Sequence, residues 1–549
     1  MNPNENKPSF MDKNTLLAFA LIILLWFAWS RYLDSQQPVA PVTAAATAAL
    51  PGSGSNVDAK SSTTPSAPSS TTPSAIAATE GLAATSPETV SDYDDARWSF
   101  QLSSHGMGLK NITIKGYKTR SDGPVVLGAL ASDFPFSTGL VETGKPIDFQ
   151  VEKVGSDTYV GHATVGVLNI EKTVKVNSET YSLMTDVKVT GTANGFRGIS
   201  TTLNDVIQEV PAQGFMSRSY DRQDFFVFHD SKKTRTLVSR EKGAAVSEAN
   251  VTTAALNDHY FALAVVDHSD LLPRFSANVP VGATAAVASL SYEPNTHTDT
   301  FAIHYLSYAG PKDFALLSRV DEGLSQVIDY GMFAVLAKPI LWLLKFLFSM
   351  IGNWGWSIIA LTIIVRFIVL PFNVYSFKSM KSMQRIQPEM NRIKEKYKDG
   401  NADQKLIMNQ EIMKIMKDNK ANPLGGCLPM LLQLPVFLAL YQVLGQSIEL
   451  YQAPFIFWIH DLSSKDQFYV LPVLMGATMF VQQKISPTTM DPQQAKIMVW
   501  MPVLFSFFMI SLPSGLTLYI FVSTLFGIIQ QFIFLRDKKS VQTVKEAKA

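Results

Sequence analysis

Arg366 sits inside the apolar stretch SIIALTIIVRFIVLPFN, residues 357–373. A guanidinium placed there costs roughly 3 kcal/mol on insertion scales, so the fold must compensate it. A buried ion pair is the usual device, yet no apolar segment of this sequence contains an Asp or Glu. What these segments offer is neutral polarity at helical spacing. Thr362, Arg366 and Asn373 fall at i, i+4 and i+11 on one helix face, and Tyr519, Ser523, Gly527 and Gln530 repeat the spacing on the last segment, with Gln433, Gln442, Thr478 and Gln482 adding further amides and a hydroxyl. Such residues around one cation define a wet groove for polar or acidic peptide. A transporter or lipid flippase with an arginine anion site would use the same residue types, but would normally show repeated halves, and no internal repeat is visible.

Catalysis is not expected. Seven of the eight histidines (His105, His162, His229, His259, His268, His297, His304) are scattered with no close ligand pair, and His460 lies in a loop between apolar segments. The apolar segments hold no His, Asp or Glu, so nucleophile–base and metal sets are missing from them and no cofactor is implied.

The elements that must position Arg366 are membrane spans. The hydrophobic share of 47% is concentrated in runs at 15–33, 354–373, 424–444, 468–484, 497–512 and 515–535, which read as six transmembrane helices. The first run reads as an uncleaved anchor after a short tail, 1–14. Lysines and arginines crowd 374–423 and the tail 536–549, which places both segments, and by parity the N-terminus, in the cytoplasm. The runs at 468–484 and 497–512 span only roughly 24 Å as helices, against a hydrocarbon layer of about 30 Å, and would thin the bilayer around them.

The exported part divides in two. Residues 34–91 are Ala, Ser, Thr and Pro with few large apolar residues, a flexible linker. From 92 to 318 the hydrophobic period changes to two, in stretches such as NITIKGYK and YSLMTDVKVTG, which predicts a large all-β sandwich. The lone cysteine, Cys427, leaves this domain without a disulfide. Residues 319–353 read as connecting helices, the last lying on the outer interface with snorkelling lysines. The segment 374–423 reads as a helical hairpin around DGNAD, whose methionines, Met380, Met383, Met390 and Met413 among them, either pack the two arms against each other or form an adaptable apolar surface on a basic frame. The net charge of +1 gives no sign of nucleic-acid sequence readout.

The stretches NPLGGCLPMLLQLPVFLALYQVL, QAPFIFWIHDLSSKDQFYVLPVLMGATMFVQQ, PSGLTLYIFVSTLFGIIQQ and IIVRFIVLPF resemble the YidC family of membrane protein insertases, in the form with a large periplasmic domain found in bacteria with two membranes. The resemblance implies a multi-pass inner-membrane α-helical protein whose core of five helices surrounds a hydrophilic groove open to cytoplasm and lipid. It would insert and help fold nascent membrane proteins, alone or beside the SecYEG translocon, with the ribosome and the lipid bilayer as further partners. Carried onto this chain, Arg366, Thr362 and Tyr519 line the groove, while Met430, Pro435 and Phe508 mark a slide for the substrate helix. Ile520 stands where the family often has a second aromatic. The periplasmic domain is expected to be a galactose-mutarotase-like supersandwich without catalysis.

Overall fold

The computed structural model describes residues 87–129, 134–192, 196–207, 223–229, 232–294, 299–398, 401–419, 428–486 and 492–536. The expected anchor at 15–33, most of the linker and all but Arg536 of the basic tail lie outside the described residues.

Period-two alternation produces the expected strands. Leu168–Asn177 buries Ile170, Lys172, Val174 and Val176 on one face, and Ala285–Tyr292 buries every second residue. Among the described residues the strands form sheets of four, five and nine members, with every pairing between named strands antiparallel. Strand Ile199–Val206 of the five-stranded sheet packs over Val251–Asn257 and Phe261–Asp267 of the nine-stranded one. Trp98, Tyr159, Tyr292, Tyr305 and Phe275 fill the core between the sheets. One core position belongs to a lysine. Lys172 Nζ donates to the carbonyls of Gly106 (2.9 Å), Met107 (3.1 Å) and Phe136 (2.9 Å), and burial lowers its pKa to about 7.

The helices follow the β domain: α1 (Phe314–Val320), α2 (Glu322–Ser325), α3 (Ala334–Ile351), α4 (Trp354–Lys396), α5 (Ala402–Asp418), α6 (Leu428–Gln446), α7 (Val470–Ile485), α8 (Pro492–Met509) and α9 (Ser514–Arg536). Asp313 caps α1 by accepting from the amides of Ala315 and Leu316, and Asn353 caps α4 through Trp356. Gly352, at φ 75°, ends α3 in the left-handed conformation that glycine adopts without strain. At Gly355 the opening turn of α4 passes against the ring of Phe455, so closely that a Cβ would collide with it.

Among the described residues, α3, the α4 segment Trp354–Met383 and the α9 segment Ser514–Ile533 are long and apolar enough to cross a membrane; Val470–Ile485 and Val499–Met509 are shorter apolar helices. The span and the first arm of the expected hairpin are one helix of 43 residues, unbroken at Pro371 and Pro388, because α4 continues past the apolar run as a basic amphipathic helix. The second arm, α5, folds back on it. Met383, Ile386 and Ile412 are buried between the arms with Met390, Ile415 and Met416 against them, and Tyr397 Oη donates to Glu411 at 3.0 Å.

The β domain is docked on the loop that follows α6. His259 Nε2 lies 2.7 Å from the Gly445 carbonyl near the end of α6, Tyr451 Oη donates to Lys118 O at 2.6 Å, and Gln452 Nε2 donates to the carbonyls of Lys118 and Thr119 at 3.0 and 3.2 Å. Lys345 of α3 bridges Asp313 (3.3 Å) and Glu449 (2.5 Å), tying domain, helix and loop together.

Candidate substrate groove

The groove is built on the contact between α4 and α9. These helices run parallel in one register: Gly515 lies against Ile358, Arg366 bonds Ser523, and Asn373 bonds Gln530, with one sequence offset throughout. A heptad separates the two polar rungs on both helices, which keeps them on the facing stripe. At the end nearest the β domain the seam is closed by Ile358 and by Thr362, both fully buried, and the Thr362 hydroxyl donates to the Ile358 carbonyl of its own helix at 2.7 Å. Thr362 therefore borders the site without offering its proton to it.

Arg366 is part-buried and donates through Nε (2.9 Å) and one terminal nitrogen (2.5 Å) to the Ser523 hydroxyl. No carboxylate pairs with it among the described residues. Tyr519, buried one turn above Ser523, accepts at its hydroxyl from Gln433 Nε2 at 2.6 Å, which brings α6 into the same cluster. Arg366, Gln433, Tyr519 and Ser523, read separately from the sequence, thus converge from three helices. A guanidinium has five N–H donors in a planar fork, and one hydroxyl leaves most of them open to water or an anionic ligand.

Asn373 and Gln530 form the far rung, their amides 3.4 Å apart and both side chains buried. On the next face of α9, Gln531 donates to Ser486, the residue that follows α7, at 3.0 Å, a contact not anticipated from the sequence, although the paired glutamines at the end of an apolar helix are visible there. Gly527 lets Gln482 approach: a Cβ at 527 would lie 2.6 Å from its amide nitrogen. Two of the polar residues expected in the seam lie elsewhere. Gln442 faces Gly331 beside the β domain, and the Thr478 hydroxyl is spent on the carbonyls of Leu474 and Met475.

Pro435 and Phe508 are part-buried, on α6 and α8, beside the exposed Leu434 and Phe507. Met430 belongs to α6, but its side chain lies outside the described residues. Of the hairpin methionines, Met383 is buried between the arms, Met380 and Met390 are part-buried, and Met413 is 66% exposed beside Leu406 and Ile407. No cluster of metal-ligating side chains occurs among the described residues.

A β domain joined to apolar helices, with an arginine between them that no carboxylate pairs among the described residues, defines a membrane protein with a candidate polar site among its apolar helices. Comparison with known proteins makes this specific. The family described as the 60Kd inner membrane protein matches residues 346–542, and the YidC periplasmic domain matches residues 97–343. A membrane protein insertase YidC of Pelobacter propionicus is 32% identical over 562 residues, covering 95% of this chain and 98% of that protein. One from Pseudomonas fluorescens is 42% identical over 314 residues, covering 56% of this chain; this chain spans about half, 54%, of that relative. A solved structure titled as an active YidC insertase with its first transmembrane domain resolved aligns with a TM-score of 0.37 at 19% identity, over 82% of this chain and 95% of that one. The chain belongs to the YidC family of membrane protein insertases, and its β domain is the periplasmic domain of that family.

Proposed function

We propose that this protein inserts nascent membrane proteins into the inner membrane by drawing the polar exported segment of a substrate into the groove at Arg366. The observation that carries the reading is the guanidinium itself, held by the Ser523 hydroxyl with no carboxylate among the described residues. Desolvated charge is costly in hydrocarbon, so the site favours water and acidic peptide over lipid. The seam gives it a direction. It is tight and apolar at Ile358, charged at Arg366 and amide-lined at Asn373, so polarity rises away from the periplasmic domain. The 16-residue helix α7 reduces the thickness to be crossed.

In this reading the hairpin faces the cytoplasm with both termini and receives substrate from the ribosome through Met413 and its exposed neighbours. The α6 and α8 surfaces at Met430, Pro435 and Phe508 guide the substrate helix into lipid, and the SecYEG translocon is a partner for larger clients. Helix α3 lies along the periplasmic interface, its exposed Trp342, Phe346 and Met350 meeting lipid while Lys345 is held by Asp313 and Glu449. The experiment is depletion of the protein followed by protease protection of a small membrane protein with an acidic exported tail. The tail is expected to stay protease-inaccessible from the periplasmic side after depletion; unchanged insertion refutes the proposal.

A further inference from the structure

We propose that Asn373 and Gln530 form a second, charge-neutral station of the groove, which hydrogen-bonds the peptide backbone of the exported segment before that segment reaches Arg366. The inference deepens the insertase reading and rests on it. The two residues continue the register that joins Arg366 to Ser523, seven positions further along both helices, or roughly 10 Å towards the end of the seam away from the periplasmic domain. Anything entering from that end meets the amides first.

The rung is incompletely satisfied. Each side chain is only 5% exposed, the bond between them is long at 3.4 Å, and Gln530 Nε2 is buried without a hydrogen-bond partner among the described residues. The Oε1 of the neighbouring Gln531 is likewise unpartnered among the described residues, while its Nε2 is engaged by Ser486. Two glutamines evolved only to clip helices would pair both ends of each amide, because an orphaned polar atom in hydrocarbon destabilises the packed state. A primary amide carries one donor group and one acceptor, as does a peptide group, so the station matches extended backbone irrespective of side-chain charge. Arg366 matches acidity instead. Division of labour between a neutral and a charged rung would let one groove pass both neutral and acidic tails.

The test uses the full-length protein as the sole insertase and a series of single-span substrates whose exported tails have equal length and differ only in their number of acidic residues. Gln530→Leu is expected to lower insertion of every tail by one common factor, about three- to tenfold, the loss of a hydrogen bond or two. Arg366→Ala is expected to lower insertion increasingly with acidity. Insertion by Gln530→Leu at the wild-type level, or a loss that grows with acidity, overturns the proposal. Should that variant fail to accumulate, a photoreactive residue at position 530 decides: adducts with the tail of a stalled nascent chain support the station, and adducts with lipid alone overturn it. Failure of the wild-type protein to insert any tail would instead refute the underlying insertase reading.

Discussion

Arg366 and Ser523 face each other across two parallel helices at an offset of 157 residues, and the same offset pairs Asn373 with Gln530. The constant offset means that α4 and α9 do not slip past one another along the seam. A polar residue introduced or removed on either helix therefore acts on one defined rung.

If Arg366 acts by attracting acidic tails, Arg366→Lys retains activity because it keeps the charge, although a lysine gives up the planar fork that reaches Ser523. Arg366→Glu fails most on acidic tails, and Arg366→Ala loses little on neutral tails and more on acidic ones. Insertion efficiency plotted against tail acidity reads this directly. Equal losses in all three variants at every tail charge would assign the guanidinium to holding helices together.

Tyr519→Phe deletes the acceptor of Gln433 at 2.6 Å and leaves an amide short of a partner in the groove wall. A neutral hydrogen bond contributes about 1 kcal/mol, so thermal stability in detergent should drop by a few degrees. Insertion of neutral tails should fall less than with Gln530→Leu. Paired replacement, Tyr519→Phe with Gln433→Leu, should recover stability because no orphaned group remains.

The hairpin gives a comparison between a buried and an exposed methionine. Met383→Asp places a carboxylate between the arms and should unfold the hairpin, whereas Met413→Asp alters only an exposed surface and should leave limited proteolysis of the arms unchanged while reducing insertion. Deletion of about 378–420 should abolish insertion with the protein still in the membrane; loss of the protein would mark the hairpin as structural.

Deleting most of the periplasmic domain between about 100 and 300 should leave much of the insertase activity, since Arg366, Ser523, Asn373 and Gln530 lie on helices beyond it. The cut removes His259 and Lys118, which hold the Gly445 to Gln452 loop, so the shortened protein should melt earlier in detergent. Complete loss of insertion by a stably expressed deletion would make the domain part of the machinery.

Lys172 sets a pH dependence within that domain. Its folded pKa of about 7 lies below the ordinary 10.5, so between these values the unfolded chain holds a proton that the native chain lacks, and stability rises with pH across that window, by at most ~1.4 kcal/mol per pH unit. Below about 7 the burial penalty is fully present. Lys172→Met removes the titration and leaves three carbonyls without its amine. The difference in melting temperature between wild type and variant should therefore grow from pH 7 to pH 9; a constant difference would show that the amine does not titrate there.

Sequence alone determined the kinds of element and the membrane problem. Alternation with period two fixed an all-β domain after the linker, because burial on one sheet face needs nothing but a side-chain pattern. Apolar runs free of acid fixed the absence of an acidic partner for Arg366 within them, since inventory is independent of folding. Spacing also placed Thr362, Arg366 and Asn373 on one face and Ser523 and Gln530 on another. It could not say that those faces meet, because the offset between helices more than a hundred residues apart is set by packing such as that of Gly515 on Ile358 and by the loops between. Nor could it distinguish a hydroxyl that meets the neighbouring helix, as at Ser523, from one turned back on its own helix, as at Thr362, because both are open to the same residue type until the helices pack. The joint of Lys345 with Asp313 and Glu449 was equally hidden: each charge is ordinary in its own segment, and only the docking of domain, helix and loop brings the three together.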